Sequence, residues 1–546
     1  MTDASAALAP SGYADGFARA NLPPLDEWPE FRFDLPELQY PARLNSVAEL
    51  LDSVTVRGWD ARTALIGSRE RLSYAELRAR VDRIAHVLRQ DLALATGSRV
   101  LLRGANCPMM AACILAVIKA GCIAVPTMPL LRARELGVIA GRARVDAVLC
   151  AASLRAEVDA MEPGGLPLLL FDDERAPDSL EARMAAHDDP FQAPDTAADD
   201  VCLISFTSGT TGVPKGTMHF HRDLLAICDC FPRHTLRSRM DDVFIGTPPL
   251  AFTFGLGGLL LFPLRVGASA VLCEKLTPES LLAAIQEHRA TVCFTAPTFY
   301  RQMAQLAPRM EEGSLRSLSR SVSAGEALPV ATREAWKAAT GLDMIDGIGA
   351  TEMLHIFISA AGSEARAGAT GKPVPGYQAC ILDEHGRPVG PGVIGRLAVK
   401  GPTGCRYLDD PRQRNYVQDG WNITGDAYEM DADGYFYYRS RLDDMIISAG
   451  YNIAGAEVEE ALLHHPAVAE CGVVGRPDEE RGQVVEAHVV LKPGVAASGE
   501  LAAALQEFVK AQIAPYKYPR VVRFREQLPR TETGKLQRFK LRIDAV

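Results

Sequence analysis

The apolar run Val201-Cys202-Leu203-Ile204-Ser205-Phe206 ends abruptly in Thr207-Ser208-Gly209-Thr210-Thr211-Gly212-Val213-Pro214-Lys215-Gly216. A short apolar run bounded by turn-forming residues reads as a buried strand. The ten residues after it carry four hydroxyls, three glycines and one lysine. They have little to bury and must leave the sheet as a loop. Glycines let backbone N–H groups approach phosphate oxygens, while hydroxyls and a cation add charge-matched contacts. The competing reading is a polar surface loop, which the Pro214-Lys215-Gly216 ending disfavours. The spacing is not that of a Walker A loop. Upstream, Ser73 and Glu76 have capping-box spacing ahead of an apolar stripe, Leu77, Val81, Ile84 and Leu88. A strand at Arg99–Leu102, a helix, and a strand at Ile123–Val125 follow. That alternation predicts βαβ units on a parallel sheet, an α/β fold.

The chain has 546 residues, beyond the roughly 250–300 at which one core usually splits. Two domains are expected, with a boundary near Arg441–Asp444: residues 1–442, opening with a Pro-rich extended segment over 1–45, and residues 443–546. After Ala379 short strands alternate with turns. The last hundred or so residues read as a compact α+β unit, with helices at Glu457–Leu463 and Leu501–Ile513 and strands at Val473–Val474, Ala487–Leu491 and Val521–Phe524.

Hydrophobic residues make up 48% and charged residues 23% of the chain, which excludes a disordered or fibrous chain. The formal net charge of -10 argues against a broad nucleic-acid surface, though not against a nucleotide ligand. The 12 cysteines form no CxxC pair and no zinc-spaced Cys/His cluster, the pattern of reduced core thiols. Met1-Thr2-Asp3-Ala4-Ser5 lacks a signal-peptide pattern. The greasy stretch Ala111–Pro126 contains Lys119 and is too short to span a bilayer. A cytoplasmic protein without a membrane span, monomeric or homodimeric, is the expectation.

Four further segments follow the loop in order: Gly347-Ile348-Gly349-Ala350-Thr351-Glu352, Trp421-Asn422-Ile423-Thr424-Gly425-Asp426, Ser440-Arg441-Leu442-Asp443-Asp444-Met445-Ile446, and Pro529-Arg530-Thr531-Glu532-Thr533-Gly534-Lys535. Singly, each passes for a turn or a solvated charge cluster. Together with the Thr207–Gly216 loop they resemble, from about Gly97 onward, the adenylate-forming superfamily of acyl- and aryl-CoA ligases, peptide-synthetase adenylation domains and firefly-type luciferases. The resemblance implies a large adenylating domain of layered mixed sheets and helices with a small β-barrel-like subdomain, then a small mobile α+β domain.

It also implies ATP, Mg²⁺ and coenzyme A as cofactor and co-substrates, and roles residue by residue. Lys535 would bridge the carboxylate and the α-phosphate. Thr351 would contact that phosphate, and Glu352 would hold Mg²⁺. Thr207, Ser208, Gly209, Thr210, Thr211, Gly212 and Lys215 would grip pyrophosphate. Ser323, Ala324, Gly325 and Glu326 would flank adenine on one face, Asp346 and Gly347 on the other. Asp426 would accept the ribose hydroxyls beside Arg441. Asp443 would be the hinge, and Gly450, within Ser448–Asn452, would face the thiol tunnel in a second pose. Ala454-Gly455-Ala456 stands where the family often has proline, which makes that loop more pliable.

The segments Asp346–Phe357 and Leu250–Gly258 most resemble benzoate– and 2-aminobenzoate–CoA ligases. By position, Thr253, Phe254, His355 and Ile356 would line the acid pocket, with Ala324 and Gly349 at its edges. Phe254 and Ile356 suit a flat ring. Taken alone they read as core packing, and His355 as a satisfied core histidine. The benzoate type tends to have Ala at the position of Thr253, so its hydroxyl points to an ortho amino or hydroxyl group. The expected activity is therefore ATP-dependent aryl acid–CoA ligation, with 2-aminobenzoate or benzoate as the acid. The alternative is a stand-alone aryl-adenylating enzyme that loads a carrier protein.

Overall fold

The computed structural model describes residues 8–162, 164–173, 176–207, 214–448, 451–478, 481–513, 515–530 and 536–543. Ser208 to Val213, Gly450 and Lys535 lie outside them, as do the side chains of Asp443, Tyr451 and Asn452.

The described residues build two large sheets, a smaller antiparallel sheet and a C-terminal sheet. The six-stranded sheet runs Leu168–Phe171, Ala147–Ala151, Arg99–Arg103, Ile123–Thr127, Val201–Thr207 and Lys215–Phe220, and only the last joins antiparallel. The parallel strands Arg99–Arg103, Ile123–Thr127 and Ala147–Ala151 are buried along their whole length. That is the signature of a sheet covered on both faces. Helix Tyr74–His86 carries the expected capping box, with Ser73 Oγ accepting from Glu76 N and the Glu76 carboxylate accepting from Ser73 N. Its stripe Leu77, Val81 and Ile84 is fully buried.

The nine-stranded sheet has a parallel centre, Arg320–Ala324, Val292–Thr295, Val243–Gly246, Ser269–Val271 and Thr63–Ile66. Met344–Gly349 lies parallel to Arg320–Ala324 and antiparallel to Ile356–Ser359. The smaller sheet orders Gln378–Leu382, Gly395–Lys400, Trp421–Met430 and Val417–Gln418, with Phe436–Arg441 also on Trp421–Met430. No ladder among the described residues joins its first strand back to its last.

The C-terminal unit pairs Val468–Asp478 with Gly482–Leu491 and adds Val521–Phe524 in parallel. Helices Gly455–Leu463 and Gly499–Gln512 share a separate core with these strands, built on Ile453, Val458, Leu462, Val485, Leu505 and Val509.

The segment over residues 8–45 is only partly extended. It forms a short helix Phe17–Ala20 and several turns, and it is strapped down. Tyr13 donates to Val201 O at 2.9 Å, Glu30 N donates to Gly420 O at 2.8 Å, and Phe31 bridges Gly401. None of the 12 cysteines is paired. No helix of the described residues is long and apolar enough to cross a membrane.

Candidate active site

The two ends of the glycine-rich loop are held by the sheet. Thr207 pairs with Lys215 across an antiparallel ladder, so the chain beyond the glycine-rich segment runs back along Val201–Thr207 as a strand. The sequence shows no clear signal for the return strand Lys215–Phe220, because its apolar residues are broken by Thr217 and His219. Helix His221–Asp229 starts only after that strand.

Lys215 is held on the cavity side. Its Nζ donates to Tyr407 Oη at 2.7 Å and lies 3.4 Å from Glu352 Oε1 and 4.7 Å from the centre of the Tyr407 ring. Tyr407 in turn donates to Glu352 Oε1. The phenol is 1% exposed and Glu352 7%. Burial, then the Glu352 carboxylate, pushes the Tyr407 hydroxyl far above its ordinary range, so it stays protonated and can only donate to Glu352.

Around this group opens a cavity of about 830 Å³. Its walls include Thr207, Lys215, Gly325, Glu326, Asp346, Gly347, Gly349, Glu352, Asp426 and Arg441 from the large domain. From the C-terminal unit they include Glu459, Glu470, Arg530 and Arg538. The strand register explains part of the set, since Ser323 lies beside Asp346 and Ala324 beside Gly347. Ser323 and Ala324 themselves are buried behind the wall, and Thr351 sits between the lining residues Ala350 and Glu352. Burial pushes the Asp346 carboxyl up to about 7, against the pull of Arg333, and its buried Oδ1 has no hydrogen-bond partner among the described residues. Asp426 and Arg441 are ladder partners, and Arg441 Nη1 donates to Asp426 Oδ1 at 3.0 Å. Gly425 has φ +78°, and a Cβ there would lie 2.8 Å from Arg441 Nη2, so this irregular point within strand Trp421–Met430 demands glycine.

Of the residues expected around the acid, His355 and Ile356 pack directly behind Gly347–Gly349. A Cβ on Gly347 would lie 2.8 Å from Ile356, and one on Gly349 would lie 2.8 Å from His355 O. Thr253 and Phe254 open the helix Thr253–Leu256, which runs into the π-helical turn Gly257–Leu261. His355 is set in a ring of phenylalanines, 4.4 Å from Phe262, 5.6 Å from Phe254 and 5.9 Å from Phe231 between ring centres. Burial pushes its pKa down to about 3, so the imidazole is neutral. Its Nε2 lies 3.4 Å from Phe254 O, and its buried Nδ1 has no hydrogen-bond partner among the described residues. Of the acid-side set, Gly349 alone lines the cavity.

Asp443 sits in the 3₁₀ turn Leu442–Asp444, immediately after strand Phe436–Arg441. Across the two units, Arg301 donates to Ala469 O at 3.0 Å and to Glu470 Oε1 at 2.8 Å, while Arg530 donates to Glu470 Oε2 at 2.9 Å. Arg530 Nη1 also lies 3.9 Å from Glu326 Oε1. Arg530, in the same motif as Lys535, thus stands against the Gly325–Glu326 wall. Sequence reading missed Arg301, Tyr407 and Tyr416, none of which sits in a local pattern that marks it.

A two-unit cleft with a lysine, a buried carboxylate and a carboxylate–arginine pair has the charge pattern that suits a phosphorylated nucleotide. Comparison with known proteins places it. Residues 53–406 match the AMP-binding enzyme family, and residues 457–535 match the AMP-binding enzyme C-terminal domain. The chain belongs to the AMP-binding enzyme family. It is similar to the benzoate–CoA ligase of Thauera aromatica, with 37% identity over 93% of this chain and 97% of that protein. It is also similar to the 3-hydroxybenzoate–CoA ligase of Aromatoleum sp. (strain CIB), with 31% identity over 91% of this chain and 96% of that protein. Among solved structures, the anthranilate CoA ligase AuaEII in complex with anthranoyl-AMP superposes with TM-score 0.86 and 32% identity, covering 94% of this chain and 99% of that one. A benzoate CoA ligase from Burkholderia xenovorans LB400 gives TM-score 0.85 and 34% identity, covering 91% and 100%.

Proposed function

We propose that this chain is an ATP-dependent aryl acid–CoA ligase acting on 2-aminobenzoate or benzoate. The observation that carries it is the cavity that brings Lys215, Glu352, Asp346 and Asp426 together with Arg530 of the C-terminal unit, in a chain similar along nearly its whole length to benzoate– and anthranilate–CoA ligases.

The chemistry runs in two steps. A carboxylate oxygen attacks the α-phosphorus of ATP, the α–β anhydride bond breaks, and pyrophosphate leaves. The coenzyme A thiolate sulfur then attacks the acyl carbon, and AMP leaves. Negative charge gathers on the phosphates in the first step, so cations and oriented donors carry it. Lys215 and the loop it anchors take the pyrophosphate side, and Thr351 the α-phosphate. Asp426, held by Arg441, accepts the ribose hydroxyls. Ser323–Glu326 and Asp346–Gly347 flank adenine. Lys535 supplies a cation to the carboxylate and α-phosphate while Arg530 is docked. Rotation at Asp443 then brings the Gly450 segment to the thiol.

Glu352 suits Mg²⁺. Among the described residues no group of three or more His, Cys, Asp or Glu could cage an ion. A single buried carboxylate facing phosphates is how Mg²⁺ is commonly shared between protein and substrate. When bound, the ion would neutralise phosphate oxygens.

The acid pocket is Thr253, Phe254, His355 and Ile356, edged by Ala324 and Gly349. The phenylalanine wall around neutral His355 suits a flat aromatic acid.

The test supplies the purified chain with ATP, Mg²⁺ and coenzyme A. It follows AMP and thioester over benzoate, 2-aminobenzoate, hydroxybenzoates, phenylacetate and cinnamates. Equimolar AMP and thioester with benzoate or 2-aminobenzoate is expected. Acyl-adenylate formed without thioester, with transfer only to a carrier protein, overturns the choice of thiol.

A further inference from the structure

We infer that Tyr407 is a positioning residue for adenylation, whose phenol orients Glu352 and parks Lys215 before nucleotide binds. The inference rests on the assignment of Glu352 to Mg²⁺ above. Tyr407 Oη stands between the two groups, accepting from Lys215 Nζ at 2.7 Å and donating to Glu352 Oε1. Among the described residues, both hydrogen bonds to the Glu352 carboxylate fall on Oε1, from Tyr407 and from Lys215. A donor fixed on one oxygen sets the plane of the carboxylate and so the direction in which the other can meet a cation. Lys215, meanwhile, waits on the phenol and over its ring, and it must exchange that acceptor for phosphate when ATP arrives.

The phenol is itself held from behind. Buried Gln413 uses its amide fully: Oε1 accepts from Tyr407 N at 2.9 Å and Cys405 Sγ at 3.4 Å. Its Nε2 donates to Cys405 O at 3.1 Å and Glu27 O at 2.9 Å. Arg406, beside Tyr407, is fully buried, pairs with Asp223 and stacks over Phe220 and Phe31. The N-terminal strap, through Glu27 and Phe31, therefore buttresses the segment Cys405–Tyr407, bridged to Thr217, that aims Tyr407 at the nucleotide site.

Tyr407→Phe removes the hydroxyl and keeps the ring. ATP binding is measured by calorimetry with Mg²⁺ and with EDTA, alongside the Mg²⁺ dependence of ATP–pyrophosphate exchange. The expected result is a rise of about five- to ten-fold in the Mg²⁺ concentration for half-saturation, with Tm unchanged and binding in EDTA no weaker, since Lys215 loses a competing acceptor. On a Glu352→Gln background the same substitution should add nothing. An unchanged Mg²⁺ half-saturation, or equal losses with Mg²⁺ and EDTA, or additive effects in the double variant, overturns the proposal. If Tyr407→Phe does not fold, 3,5-difluorotyrosine at position 407 keeps shape and hydroxyl while changing its acidity. It must shift the same half-saturation, and no shift overturns the role. A wild-type chain inactive on every aryl acid would refute the proposed function instead, and the two binding measurements would still read Tyr407.

Discussion

Asp346 lines the nucleotide cavity with a carboxyl that burial has raised to about 7, far above the 3.8 of a free side chain. Between those values the folded chain binds a proton that the unfolded chain has released. Stability is therefore lost as pH rises through that window, and above about 7 the loss is complete. Asp346→Asn removes the titration. Its Tm advantage over the wild type should grow by a few degrees between pH 5 and pH 8, read by calorimetry at both pH values. Parallel curves would contradict the burial argument. Thr253 is a second single-residue matter. Its hydroxyl is nearly buried at the start of the helix that carries Phe254. Losing one hydrogen bond to an ortho substituent costs roughly 1 kcal/mol. Thr253→Ala should move the ratio of kcat/KM for 2-aminobenzoate over benzoate several-fold toward benzoate. An unmoved ratio removes Thr253 from selectivity.

At the scale of elements, the π-helical turn Gly257–Leu261 stands where the acid-side helix meets His355. A Cβ on Gly257 would lie 2.4 Å from His355 Cδ2, so this turn and the imidazole share one space. Gly257→Ala should destabilise by roughly 1–3 kcal/mol. It should raise KM for the acid more than KM for ATP, measured side by side; a reversed order would place His355 away from the acid. The helix at Tyr74–His86 and the parallel strands were legible because caps and apolar runs are local signals. The return strand Lys215–Phe220 was not, since its pairing with Val201–Thr207 is fixed across the glycine-rich segment. The extended reading of residues 1–45 missed the Phe17–Ala20 helix, a four-residue element that packs Ala18 into the large domain and has little pattern of its own. The residues expected around the acid came from family likeness alone, and of them His355 and Ile356 pack behind Gly347–Gly349. Tyr407 and Arg301 carried no such mark, because their meaning lies in partners 55 and 169 positions away.

On the whole molecule, Glu470 joins the two units. Burial pushes its carboxyl up, but Arg530 and Arg301 outweigh it and hold it below its ordinary range. The contact is therefore fully present above that range and weakens as pH falls through the lowered value. Arg301→Ala should slow acyl-adenylate formation about five-fold, while leaving thioester formation from supplied acyl-AMP unchanged. Equal slowing of both half-reactions would mean that the contact does not favour the adenylating pose. Lys535→Ala is the sharper version of the same split, with adenylation abolished and thioester formation largely spared. The central claim is that a carboxylate of the aromatic acid attacks the α-phosphorus of ATP, and isotope transfer tests it most directly. With carboxyl-¹⁸O-labelled benzoate or 2-aminobenzoate, ATP, Mg²⁺ and coenzyme A, the AMP released should carry one ¹⁸O and the pyrophosphate none. Label in phosphate or pyrophosphate, or AMP formed without it, would contradict adenylation.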